Sequence, residues 1–144
     1  MRPAQELPSP GRWRHVAGHD LVAIFLGGFL GSLIRTGLAH GFPVAAGEWP
    51  WPTFTVNILG AALLGYLISS TQERRPPSLY GRSFIGIGVC GALTTFSTLI
   101  LELLGMLEGS RWGLAAAYGS ASLAAGLAAV LLASRLARRR RGAA

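Results

Sequence analysis

The chain has 144 residues, and its 13 basic residues, all arginine, face only 6 acids, for a formal net charge of +7. Hydrophobic residues make up 51%, charged residues 13%, and the mean hydropathy is +0.44. A soluble domain carries about 25% charged residues, so this chain lacks the polar surface to cover itself in water. Its lone cysteine excludes an internal disulfide framework, and no Cys/His spacing resembles a zinc site. The arginines sit between long apolar runs, which points to a small all-α, polytopic membrane protein.

Residues 1–19, with Pro3, Pro8 and Pro10 among polar groups, read as a disordered leader. Residues 20–134 read as a transmembrane domain. A bilayer core of about 30 Å needs about 20 mostly apolar residues as helix, and four stretches meet this: roughly Leu21–Ala39, Trp51–Ser70, Ser83–Leu107 and Trp112–Ala133. The first is too long for a signal peptide, is interrupted by Arg35, and lacks a clear small-residue cleavage site. The last is followed by a basic tail, residues 135–144. Because it ends a span, the tail is read as a cytoplasmic anchor near anionic lipid rather than as a nucleic-acid patch.

An even number of spans puts both termini on one side of the membrane. That side collects Arg2, Arg12, Arg14, Arg74, Arg75, Arg82 and the tail's Arg135, Arg138, Arg139, Arg140 and Arg141; the other holds Arg111. Such a bias makes both termini cytoplasmic.

In span 1 the Gly27-xxx-Gly31 spacing lets two helix backbones approach closely. Arg35 in the same span costs about 2.5–3.5 kcal/mol by insertion scales, so it either snorkels to the outer interface or lines a positive vestibule that attracts an anion. Asn57 in span 2 needs a hydrogen-bond partner, and Thr53 lies one turn before it on the same face. Interhelical contact and a pore-lining amide are both open for Asn57. Span 3 holds Gly86, Gly88 and Gly91, then Thr94, Thr95, Ser97 and Thr98. Glycines and hydroxyls weaken a helix interior, so a break is expected over Gly91–Thr95. The carbonyls it frees are tolerated at membrane depth only beside protein, water or an ion, and oxygen ligands suit a hard cation. Tyr118, Ser122 and Gly126 form a stripe along span 4, which on its own reads equally as helix packing.

Three segments in register, Gly27-Gly-x-x-Gly31-x-x-x-Arg35, Thr53-x-x-Val56-Asn57-x-x-Gly60 and Gly91-x-x-Thr94-Thr95-Phe96-Ser97-Thr98, resemble the Fluc (CrcB) family of fluoride channels. The resemblance covers roughly residues 21–134. It implies a four-helix subunit that pairs as an antiparallel dimer, two fluoride pores, and a structural sodium ion at the dimer centre. Main-chain carbonyls of Gly91 and Thr94 fall on the family's sodium ligands, with a matching pair from the partner. The fluoride pathway falls on Asn57, Phe96, Ser97, Thr98, Tyr118 and Ser122, with Arg35 and Glu102 at the vestibule. Amide and hydroxyl hydrogens replace fluoride's water, and the edge of the Phe96 ring presents positive quadrupole charge. The resemblance implies passive conduction that exports fluoride from the cytoplasm across the plasma membrane and protects against its toxicity, with no covalent step and no enzyme chemistry.

Leu99 departs from the family by replacing its second pore phenylalanine. The arginine bias also departs from homodimeric members, which insert in both orientations. Both departures imply a paired homologue of opposite topology, with this chain as a conducting or a non-conducting partner. A small four-span multidrug exporter, the rival class, would need an acid within span 1, where none follows Asp20.

Overall fold

The computed structural model describes residues 18–45, 47–71 and 80–142. All regular structure among them is helical: α1 (Gly18–Gly41), α2 (Trp51–Thr71), a π-helical segment (Tyr80–Cys90), the short α3 (Gly91–Leu93), α4 (Phe96–Glu108) and α5 (Trp112–Gly142). The helix ends follow local chemistry. α1 stops at Gly41, two residues before Pro43, and α2 starts with Pro52 in its first turn, where a missing N–H costs nothing. α4 closes with Ser110 N–H donating to Leu107 O (2.9 Å) and Arg111 N–H to Met106 O (2.8 Å). This Schellman closure puts Ser110, not the neighbouring Gly109, in the left-handed conformation (φ 58°).

Four helical runs are long and apolar enough to cross a membrane: Gly18–Gly41, Trp51–Ser70, Gly81–Glu108 and Trp112–Arg140. The chain is a multi-pass membrane protein. Its outward faces agree with a lipid solvent, since Phe25, Phe29, Leu33, Leu123 and Leu127 are exposed. Gly18 and His19 of the expected leader belong to α1, and α5 runs on through the basic tail as far as Gly142. Residues 1–17 of the expected leader, and Arg74 and Arg75 of the 2–3 loop, lie outside the described residues.

Packing runs along two seams, α1 against the π-helical segment and α2 against α5. Glycine makes both possible. A Cβ on Gly88 would lie 2.8 Å from Ile24 O and 2.9 Å from Gly27 Cα, and one on Gly27 would strike Phe84 O. On the other seam a Gly65 Cβ would lie 2.8 Å from Val130 O, and Ser134 Oγ donates to Gly65 O at 3.1 Å. Close backbone contact replaces the hydrophobic effect, which lipid removes as a driving force between helices.

Within the Gly91–Thr95 segment the third span gives way at the C-terminal end. Gly91 is helical; the chain leaves the helix at Thr94 (φ −75°, ψ 149°) and Thr95 (φ −146°, ψ 118°). Gly81, Gly86 and Gly88 lie instead within the π-helical segment. A two-residue extended step therefore sits at the hydroxyls, with a wide, glycine-bearing helix before it.

Candidate functional site around the Thr94–Thr95 step

Each carbonyl before an α-helical break loses the N–H four residues on. Here the lost donors can be followed. Thr95 N–H, which would serve Gly91 O, donates to Asn57 Oδ1 at 2.8 Å. Thr98 N–H, which would serve Thr94 O, donates to Thr95 Oγ1 at 3.2 Å, so Thr95 caps α4. Ala92 O accepts from Arg35 Nε at 3.0 Å. Only Cys90 O keeps its helical donor, Thr94 N–H at 3.1 Å, and it also accepts from Thr94 Oγ1 at 2.9 Å. The step is thus held by side chains from α1 and α2, while Gly91 O and Thr94 O are separated from their helical donors.

Asn57 acts through both ends of its amide. Oδ1 accepts from Thr95 N–H, and Nδ2 donates to Thr95 O at 3.0 Å. This bidentate contact realises the interhelical role left open in the sequence and keeps one Nδ2 hydrogen in reserve. Arg35 turns into the subunit toward Ala92 rather than only outward to the interface. A cavity of about 110 Å³, lined by Arg35, Thr36, Thr53, Thr95 and Thr98 among others, lies beside the step. A cavity of this size holds more than one water, and its lining offers a guanidinium and several hydroxyls.

Glu102 lies one layer further along α4. Thr53 Oγ1 donates to its Oε1 at 2.6 Å and Tyr118 OH to its Oε2 at 2.7 Å. Two donors stabilise a carboxylate that would be costly alone at membrane depth. Tyr118 is fully buried, with Trp49 edge-on at 5.3 Å. Its hydroxyl hydrogen, expected to face the ion path, is already engaged by Glu102. The Ser122 hydroxyl one turn on is buried without a hydrogen-bond partner among the described residues.

The sequence-derived residues therefore fall into three groups. Arg35, Asn57 and Thr98 meet at the step, with Glu102 joined to them through Thr53. Tyr118 and Ser122 lie inside the subunit. Phe96 and Ser97 stand on its open face, Phe96 at 77% exposure. Leu99, half-buried, packs toward the cluster of Met106, Ala115 and Tyr118. Sequence reasoning gave Thr95, the hub of the hydrogen bonds, no role beyond the break, although a threonine just before an apolar helical run is an N-cap signal.

Gly91 O and Thr94 O suit a hard cation in kind, being neutral oxygens released from the helix ladder. Gly91 also lies on open surface, with no atom within 4 Å of where a Cβ would stand. Among the described residues no cluster of His, Cys, Asp and Glu offers an alternative metal site.

A family model described as "CrcB-like protein, Camphor Resistance (CrcB)" matches residues 22–134. The chain belongs to the CrcB family. It is 55% identical over 130 residues, 86% of this chain and 96% of the relative, to "Fluoride-specific ion channel FluC 1" of Mycolicibacterium paratuberculosis. It is 38% identical to a FluC 1 of Streptomyces coelicolor, covering 92% of this chain and 85% of that protein. A FluC of Bacteroides fragilis is 40% identical, over 78% of this chain and 91% of its own length. CrcB relatives are channels by name, not enzymes, and membership sets aside the multidrug-exporter reading.

Proposed function

We propose that the chain is one subunit of a passive, fluoride-selective channel in the plasma membrane that lets fluoride leave the cytoplasm and so limits its toxicity. The observation that carries this reading is the exposure of Phe96 beside the Thr94–Thr95 step. The Phe96 ring and Ser97 lie exposed beside the step, where the Asn57 amide is engaged with Thr95. A second subunit completes such a face, and the resulting path offers donors and ring edges to a small, strongly hydrated anion. The buried Ser122 hydroxyl, one turn beyond Tyr118, extends the line of hydroxyls inward.

A structural sodium ion on Gly91 and Thr94 carbonyls fits the diverted hydrogen bonds. When bound it supplies fixed positive charge between two anion paths. Arg35 adds a guanidinium to the cavity by the step. The arginine bias favours one insertion, with both termini cytoplasmic, and therefore an antiparallel partner that is a different, oppositely inserted homologue.

Fluoride efflux from liposomes carrying this chain, with and without a candidate partner subunit, tests the reading. Fluoride flux that exceeds chloride flux by orders of magnitude in the paired sample supports it; equal flux of both anions overturns it. Flux that persists when the partner's own pore phenylalanines are replaced assigns conduction to the pathway containing Phe96. Leu99 favours a second reading, in which this chain assembles without conducting, and loss of all flux in that sample would select it. Reporter fusions at Ala144 test orientation: comparable inside and outside populations would remove the case for an obligate heterodimer.

A further inference from the structure

Arg35 and Asn57 reach the third span from different helices, yet each engages the backbone within one turn of the step. Arg35 Nε takes Ala92 O at 3.0 Å, and the Asn57 amide takes both main-chain groups of Thr95 at 2.8 and 3.0 Å. Ala92 lies between Gly91 and Thr94, and Thr95 carries the N–H that would close onto Gly91 O in an unbroken helix. We propose that Arg35 and Asn57 are positioning residues for the cation site: they hold the step in the shape that keeps the Gly91 and Thr94 carbonyls available. The inference rests on the sodium reading above. It makes cation affinity a property governed from α1 and α2, through residues that touch no cation themselves.

The chemistry is specific. Without Asn57, Thr95 N–H has an acceptor within its own span, Gly91 O, and the helix ladder can close over a cation ligand. Without the Arg35 fork, Ala92 O seeks the N–H of Phe96 and draws the same turn back toward helix. Lysine is no substitute, because it keeps the charge but places a methylene where Nε stands. A vestibule arginine that merely attracts anions predicts the reverse, since Arg35→Lys would then be mild.

The assembled complex, purified in detergent, is titrated with sodium chloride at constant ionic strength, N-methylglucamine chloride making up the balance, and its melting temperature is followed. For wild type, sodium raises the melting temperature along a saturating curve. For Arg35→Lys and Asn57→Ala, the sodium concentration at half-maximal stabilisation rises about tenfold, as expected for a lost hydrogen bond to a charged or buried group. Saturating sodium recovers most of the wild-type increment. A residue with only a packing role would instead lower the melting temperature equally at every sodium concentration, and that result overturns the inference. If Asn57→Ala does not assemble, Arg35→Lys decides alone: an unshifted midpoint overturns the proposal. A wild-type complex indifferent to sodium overturns the sodium reading and this inference with it, whereas a sodium-dependent wild type with unshifted variants overturns this inference only.

Discussion

The seam between α1 and the π-helical segment and the open face around Gly91 and Phe96 use the same residue types for opposite ends. In the seam, Gly27, Gly31 and Gly88 are places where a single added carbon meets main-chain atoms of the facing helix. At the open face, Gly91 would accept a Cβ with nothing within 4 Å, and Phe96 leaves its ring uncovered. One region is packed within the subunit; the other lies open on its surface. Small residues at membrane depth mark a close approach in the seam, where the facing atoms belong to the same chain.

The contrast is most sharply broken at Gly88. Gly88→Val should abolish folded protein, because overpacking costs about 1–3 kcal/mol even where flexible side chains can yield, and here the obstacles are Ile24 O and Gly27 Cα. Monodisperse yield in detergent measures it, and yield comparable to wild type would mean that the seam opens more easily than its geometry implies.

Gly91→Val should leave the subunit's helical content and yield close to wild type while removing assembly and fluoride flux, read by size-exclusion mass and liposome efflux. Collapse of yield to the level of Gly88→Val would erase the distinction between the two regions.

Tyr118→Phe comes next. It strips one donor from Glu102 in the interior, where leaving a group unsatisfied costs about 1–3 kcal/mol. Thermal unfolding of the purified protein should show that loss, and Glu102→Gln combined with it should restore part of it, because an amide carries less charge to satisfy. A double variant that is less stable than Tyr118→Phe would contradict this account.

The smallest effects separate exposed positions. Phe96→Ala should change subunit stability by no more than about 0.5 kcal/mol, as for surface positions generally, while strongly lowering flux. Ser110→Gly should raise stability by roughly 0.5–1 kcal/mol by relieving a left-handed serine, with flux unchanged.

Four spans, their order and their lipid-facing character were legible in the sequence because length and apolarity alone decide them. So was the Gly27-xxx-Gly31 face, since close approach has no other common use for that spacing. The position of the break was legible only to within the segment Gly91–Thr95. Glycines signal weak helix, but Gly81, Gly86 and Gly88 were absorbed into a π-helical segment pressed on α1, and the extended residues turned out to be threonines whose hydroxyl and amide groups had partners waiting. The partner of Tyr118 was hidden for a similar reason. A hydroxyl in a polar stripe can face an ion path or a neighbouring carboxylate, and the 16-residue separation from Glu102 hides which. Residue type identifies a donor; only the fold says what receives it.

The length of α5 has a consequence of another kind. Its 31 residues make a rod about 46 Å long at 1.5 Å per residue, against a hydrocarbon layer of about 30 Å. Ser134 and Ala137 are still buried near the rod's end, while Arg135, Arg138, Arg139 and Arg140 project from it. The last turns are therefore a continuous helical extension of the bundle, pinned to α2 where Ser134 Oγ donates to Gly65 O. Such a rod works as a ruler: it sets the arginine cluster at a fixed distance from the Thr94–Thr95 step.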